Sequence, residues 1–212
     1  MAKKIILVGG GGHCISCIEV IESTRKYEIC GILDVREKVG KKVLDYSIIG
    51  IDSDIAKYTG EKFCFIVTAG HVKTAETRER LYGLIKNANG EIETIIADSA
   101  IVSKYSIIGE GSIIMHNALV NAGAQIGINC IVNSNALIEH EVRLGNHTHI
   151  STMATVNGQC VIGEKTFIGS NSVINQGIKI AGGVIVGSGT VVNKDISLPG
   201  TYAGNPFKSL AN

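Results

Sequence analysis

The chain of 212 residues carries 20 Lys plus Arg against 19 Asp plus Glu, a net charge of +1. So nearly neutral a protein has no global field for holding a polyanion, which argues against a nucleic-acid binder or a membrane-surface binder. Hydrophobic residues make up 45% and charged residues 18%, which argues against disorder. The longest aliphatic run near the start, Ile5 to Val8, is too short for a signal-peptide core or a membrane span, so the expected compartment is the cytoplasm. Glycine is abundant (26) and proline scarce (2), which predicts many tight corners.

In residues 1–95 short apolar runs alternate with helical patterns. Ile5-Ile6-Leu7-Val8 reads as a buried strand running into Gly9-Gly10-Gly11-Gly12-His13. Ile15, Ile18, Val20 and Ile21 then recur at helical spacing. Ile29 to Leu33 and Phe63 to Thr68 read as further strands, and Thr74 to Ile85 as a second helix. Strand, glycine turn, helix, strand is the pattern of a parallel α/β unit. The loop fails G-x-G-x-x-G, because Cys14 or Ile15 stands at the last glycine place, so little supports a dinucleotide site. A glycine turn feeding a helix N-terminus still favours a diphosphate. Cys14-Ile-Ser-Cys17 has the spacing of a redox or metal pair, but no second pair follows it. With Cys30, Cys64, Cys130 and Cys160 these residues are read as small buried thiols of a reduced chain.

From residue 96 the period changes to six. Every sixth residue from Val102 to Leu198, seventeen positions, is Val, Ile or Leu. Such a period is neither that of a helix nor that of a strand alone; it is a short strand plus a corner, repeated. Gly109, Gly127, Gly145 and Gly163 recur at eighteen, as do Gly169 and Gly187, and Asn121, Asn157, Asn175 and Asn193 fall in a third column, interrupted only by Glu139. Six nested in eighteen predicts three sides per turn, a triangular β-prism. The Gly and Asn columns are expected to supply the positive φ that corners need. At roughly 4.8 Å per coil, nearly six coils make a rod of roughly 27 Å.

The hexads of Ile126-Gly127, Ile162-Gly163 and Ile168-Gly169 resemble those of the hexapeptide-repeat acyltransferases. That resemblance implies a left-handed parallel β-helix and assembly as a homotrimer. Gly10-Gly11-Gly12-His13 together with Ile138-Glu139-His140-Glu141 makes the whole chain similar to a bacterial sugar acetyltransferase group. This group includes UDP-4-amino-sugar N-acetyltransferases and sialic acid O-acetyltransferases. The implied architecture is a Rossmann-like α/β nucleotide-sugar-binding domain over residues 1–95. A left-handed β-helix acetyltransferase domain with a C-terminal tail follows over 96–212.

His140 stands between Glu139 and Glu141 in a stretch otherwise poor in charge, and neighbouring carboxylates favour the imidazolium. By resemblance His140 is the general base and Glu141 raises its basicity. Adjacent side chains on a strand point to opposite faces, so Glu141 reaches His140 only if a corner lies between them. His149 matches a histidine that contacts acetyl-CoA in the family. It lies nine residues on, half of eighteen, and therefore on the opposite side of the prism. An active site between subunits is the expected consequence. Asn133 matches a polar site position. Gly158, Ser170 and Ser188 match CoA contacts made mainly through backbone groups. Lys179, Lys194 and Lys208 are candidates for the CoA phosphates. Gly11, Gly12 and His13, then Asp34, then Gly70 match the nucleotide-sugar site, although Val35-Arg36 follows Asp34 where some UDP-sugar relatives place a second aspartate. His116 and His147 are assigned no role and are expected to be solvated.

The resemblance implies an acetyl-CoA-dependent N-acetyltransferase acting on a nucleotide-linked amino sugar, a UDP-4-amino-4,6-dideoxy sugar being favoured. No metal, nucleic-acid or membrane partner is expected. O-acetylation of a sialic acid is the alternative within enzymes. A metal-dependent hydratase on the same prism would need histidines five residues apart, and none of 116, 140, 147 and 149 has that spacing. A non-catalytic trimeric scaffold would make the Glu139-His140-Glu141 cluster accidental.

Overall fold

The computed structural model describes residues 2–60 and 63–210. Its first part is a sheet of six strands: β1 (Lys3–Val8), β2 (Tyr27–Asp34), β3 (Lys42–Val43), β4 (Tyr46–Ile51), β5 (Cys64–Val67) and β6 (Glu91–Ile92). The helices are α1 (Gly12–Thr24) and α2 (Glu76–Asn87). Strand order is β3-β4-β2-β1-β5-β6, all parallel except the β3–β4 hairpin. Ile5 to Val8 are fully buried because helices cover both faces of a parallel sheet. Helix α1 starts at Gly12, and Ile15 is exposed. Cys14 and Cys17 take the inward places with Ile18 and Ile21. Burial pushes the Cys14 thiol up to about 11, which leaves it an inert core group.

Beyond Glu93 the chain winds as a three-sided prism of two-residue strands. The first face stacks Ile95–Ile96, Ile113–Ile114, Ile131–Val132, His149–Ile150 and Phe167–Ile168, then Val184–Val186. The second face stacks Ile101–Val102 through Val191–Val192, and the third Ile107–Ile108 through Lys179–Ile180. Strands eighteen residues apart pair in parallel. The aliphatic column points inward and fills the core from Ile114 to Val192. A second inward column lies two residues before it and is mostly small, as in Ala118, Ala124, Cys130, Ala136, Ala154 and Cys160, because the space at a corner is narrow. The seventeenth aliphatic position departs from expectation. Leu198 is 67% exposed, and Ile196 bridges Ile180 and fills the core in its place. The register slips by two residues where the last coil lacks a following coil to pair with.

The corner glycines also have another cause than the one expected. Gly109 and Gly127 do not take positive φ; a Cβ on either would come within 2.5 to 2.6 Å of the corner one coil on. The positive φ falls two residues later, at Asn117, Asn129, Asn135, Glu141, His147, Met153, Gln159, Lys165 and Asn171. Asparagine is frequent there because it tolerates the left-handed region best after glycine.

The three outward faces differ. On the first face Ile95, Ile113, Ile131, His149 and Phe167 are buried, since the α/β part lies over it and α1 packs on Ile95, Ile113 and Met115. The third face shows Ile107, Gln125, Arg143, Val161 and Lys179 to solvent. The second shows Ile101, Leu119, Leu137, Thr155, Val173 and Val191, an apolar stripe left largely half-exposed. Gly200–Gly204 and Phe207–Leu210 form a hairpin on the end of the first face, with Phe207 closing the core. Among the described residues no helix is long and apolar enough to cross a membrane.

Candidate active site on two edges of the prism

His140 sits on the corner between the second and third faces. Glu139 braces that corner: its carboxylate accepts hydrogen bonds from Asn121 Nδ2 (2.8 Å) and from the His140 backbone N–H (3.2 Å). Glu141 has φ 58°, and this left-handed turn brings its side chain to the same side as His140. Glu141 Oε2 lies 3.4 Å from His140 Nδ1 and accepts a bond from Gln159 Nε2 at 3.0 Å. The Gln159 hydrogen bond and then the His140 ring hold the Glu141 carboxyl below the usual carboxylate range. The pairing assigns the proton to Nδ1 and leaves the Nε2 lone pair free. The ring is half-exposed and lies over Gly158, where a Cβ would stand 2.5 Å from Nε2. Gly158→Ala is therefore expected to displace the ring and lower kcat about 100-fold, a loss typical of misplaced reacting groups, with the unfolding midpoint little changed. Steady-state kinetics beside a thermal melt checks this; an alanine variant with wild-type kcat would show that the ring position is immaterial.

Asn133, Ser170 and Ser188 occupy a different edge, between the first and second faces. Asn133 Oδ1 accepts from Ser134 N at 2.8 Å and its Nδ2 lies 3.4 Å from His149 Nε2. Ser170 Oγ is 2.8 Å from Ser151 Oγ, and Ser188 is exposed. Gly158 shares the His140 edge, whereas Ser170 and Ser188 do not. One chain thus holds the expected CoA contacts in two sets separated by the width of the second face.

His149 lies where sequence alone would not place it. It is buried, Nδ1 donates to the His71 carbonyl at 2.7 Å, and the ring packs against His13, His71 and Phe167. Burial, the largest cause in each case, pushes His149 and His71 down to about 3 and His13 to about 4. All three are neutral at pH 7. Within its own chain His149 meets the α/β part rather than a CoA groove, because the first face is the covered one. His147 is also buried rather than solvated: its Nδ1 lies 2.9 Å from Asn129 Nδ2, with Tyr82 edge-on. His116 is half-buried beside Ser99 Oγ at 3.0 Å.

The glycine loop lines a pocket of about 370 Å³ together with His13, Asp34 and Gly70. A Cβ on Gly10 would meet Asp34 Oδ2 at 2.8 Å, while Gly11 and Gly12 face open space, so their N–H groups at the start of α1 are accessible to a ligand. Gly70 lets the His13 side chain approach, a Cβ there lying 3.1 Å from His13 Cβ. Asp34 accepts bonds from Gly10 N, Val35 N and Lys38 Nζ at 2.7, 2.7 and 2.9 Å. Burial would raise its carboxyl, but these bonds outweigh it and hold the group below its ordinary value. Lys38, Asp52, Thr77 and Arg80 also line the pocket, with Arg80 paired to Asp52 at 2.8 Å. None of these four carries a local sequence signal, since sheet order alone brings them to the loop.

The family model for the PglD N-terminal domain matches residues 4–83, and that for the bacterial transferase hexapeptide (six repeats) matches 159–194. No curated protein sequence matches the chain. The acetyltransferase domain of PglB from Neisseria gonorrhoeae, solved in complex with acetyl coenzyme A, is 30% identical with a TM-score of 0.90. The match covers 99% of this chain and 100% of that one. This chain belongs to the hexapeptide-repeat bacterial sugar acetyltransferases. Perosamine N-acetyltransferase from Caulobacter crescentus, solved with CoA and GDP-perosamine, is 25% identical with a TM-score of 0.92, over 100% of this chain and 99% of that one. WeeI from Acinetobacter baumannii, 20% identical with a TM-score of 0.86 over 99% and 100%, shares the fold. The prism is accordingly the left-handed parallel β-helix of this family, the protein is an acyltransferase, and acetyl-CoA is its co-substrate. Among the described residues no three His, Cys, Asp or Glu side chains are grouped so as to hold a metal ion.

Proposed function

We propose that this acetyltransferase acetylates the amine of a nucleotide-linked amino sugar, a UDP-4-amino-4,6-dideoxy sugar, in a homotrimer whose active sites lie between subunits. The observation that carries the reading is the His140–Glu141 pair, with Nδ1 engaged and Nε2 free at an open corner. The sugar nitrogen attacks the thioester carbonyl, the C–N bond forms and the C–S bond breaks. His140 Nε2 takes the proton that the amine must lose, and the imidazolium returns it to the departing CoA sulfur. Glu141, itself held by Gln159, stabilises that imidazolium. Asn133 completes the site from the other edge, its amide fixed by Ser134 N and His149. Gly11, Gly12 and His13 receive the diphosphate at the start of α1, with Asp34 pinning the loop and Gly70 leaving room for His13.

The trimer follows from the second face. Its apolar stripe needs cover, and it is flanked by the His140 edge on one side and the Ser170–Ser188 edge on the other. Three copies that turn this face to a common axis set each His140 edge, with Gly158, beside the next copy's Ser170 and Ser188. This head-to-tail contact closes on itself. CoA then lies in the crevice between copies. Both co-substrates suit a cytoplasmic enzyme.

The test is incubation with acetyl-CoA and each acceptor while free thiol is followed. Turnover is expected with nucleotide-linked 4-amino sugars, with a shared acetyl-CoA KM. Turnover confined to sialic acids, through a hydroxyl in place of the amine, would overturn the acceptor assignment.

A further inference from the structure

Every corner of the prism from Gly111 to Gly189 takes one left-handed residue, and glycine or asparagine fills most of these places. Five consecutive corners depart from that rule, with Glu141, His147, Met153, Gln159 and Lys165 at φ between 58° and 62°. Four of these side chains have a task within the chain. Glu141 holds His140, Gln159 holds Glu141, His147 lies against Tyr82 and Asn129, and Lys165 pairs with Glu79 at 2.9 Å. Met153 is the fifth. It is 56% exposed, an apolar side chain on a polar edge whose equivalent places hold Asn117, Asn135, Asn171 and Gly189. A methionine held in the left-handed region costs stability, and strain of this kind gathers at functional sites.

Position along the rod identifies what Met153 faces. It belongs to the edge of Asn133 and Ser170, between the first and second faces. In the head-to-tail trimer this edge stands across the crevice from the His140 edge of the adjoining copy, and a closed ring about an axis along the rod keeps equivalent residues at equal height. The His140 ring leans over Gly158, one coil on, since Nε2 is the atom that a Cβ there would meet first. Met153 and Gly158 are five residues apart, a climb of about 1.3 Å at roughly 4.8 Å per eighteen residues. The Met153 corner is therefore level with Nε2. Ser151 and Ala154 beside it are buried, so this corner shows the crevice Met153 and the half-buried Thr152.

We propose that Met153 forms the acyl wall of the adjoining copy's active site and restricts the enzyme to short acyl groups. This rests on the reading that His140 acts in a crevice between subunits. The nitrogen that gives its proton to Nε2 must lie within hydrogen-bond reach of it, and the carbonyl carbon about 3–3.5 Å beyond that nitrogen. Both then stand on the open side of the ring, with the facing corner as their boundary. An unbranched thioether offers a flexible apolar surface that meets a methyl group and occupies the space a longer chain would need. Asparagine at this corner would relieve the backbone but leave that space open to water and to larger acyl groups.

The test compares acetyl-CoA with butyryl-CoA, following free thiol with a UDP-4-amino-4,6-dideoxy sugar as acceptor. In Met153→Gly the ratio of kcat/KM for butyryl-CoA to that for acetyl-CoA is expected to rise about ten-fold or more, the scale on which apolar pockets judge an added methylene. Met153→Leu keeps the apolar bulk and should hold the ratio within about three-fold of wild type. Glycine also suits φ 59°, so the melting temperature of Met153→Gly should not fall. A chain carrying both His140→Ala and Met153→Gly is expected to be nearly inactive by itself. Mixed with wild-type chains it should confer butyryl transfer that neither parent shows, because an intact His140 edge then faces an enlarged corner. An unchanged ratio in Met153→Gly, loss of both activities together, or hybrids no better than wild type with butyryl-CoA overturns the proposal and leaves the chemistry at His140 standing. If His140→Ala keeps wild-type turnover, it is the His140 reading that fails.

Discussion

Replacing His140 by alanine is expected to lower kcat by about 10² to 10⁴, the usual worth of a positioned general base, with both KM values near wild type. The substitution should be structurally mild, because the side chain is 48% exposed and, among the described residues, its ring nitrogens have Glu141 as their one hydrogen-bond partner. Glu141→Gln keeps the shape and removes the charge, so its loss should be smaller, about ten-fold. The same residue tests the arrangement of subunits. Asn133→Ala impairs the opposite edge and is expected to be poorly active alone. In trimers mixed from His140→Ala and Asn133→Ala chains, roughly one quarter of the interfaces join two intact edges if the contacts run head to tail. Mixed samples should therefore exceed either parent. Hybrids no better than the parents would place both edges of a site on one chain, and an alanine variant retaining wild-type kcat would remove His140 from the chemistry.

The second large effect is on stability. Arg78 sits within α2 among Glu76, Glu79 and Arg80, a setting that reads as a solvated helix face, yet it is fully buried. Its guanidinium donates to the carbonyls of Val67 and Ala69 at the end of β5, and to those of Asn129 and Gly111 on the prism. Asn129 returns a bond to the Arg78 carbonyl at 3.2 Å. Burial lowers the Arg78 pKa to about 10, so the charge is kept at neutral pH. The side chain thus ties the loop that carries Gly70 and His71 to the coil beneath it. Arg78→Met keeps the bulk and strips the donors from buried carbonyls, each costing about 1–3 kcal/mol when left unsatisfied. A net loss of at least about 3 kcal/mol corresponds to a fall in Tm of about 6–12 °C for a chain of this size. Arg78→Lys should recover little of it, because an ammonium cannot span carbonyls from both parts of the molecule. A Tm within a degree or two of wild type for Arg78→Met would show that the clasp carries no net stability.

How much of this molecule is legible in the residues alone depends on whether a pattern is local. The inward column from Ile114 to Val192 could be read at once, since every hexad meets the same contrast between core and solvent. His140 and Glu141 could be singled out by charge in a charge-poor stretch. Their contact could not, because it depends on φ 58° at Glu141, the third place after the aliphatic residue, where asparagine recurs elsewhere along the prism. Composition and spacing by themselves determined the α/β unit and the three-sided repeat, while the role proposed for His140 came from the resemblance. Which face of that repeat is covered was decided by the docking of α1 and the loop after β5, contacts that join α1 to the Ile95–Ile96 strand and His71 to His149 across long stretches of chain. That docking buries His149, His147 and Arg78, polar side chains that any local pattern assigns to water. The slip that exposes Leu198 is likewise tertiary: a repeat holds register only while another coil lies beyond it to pair with.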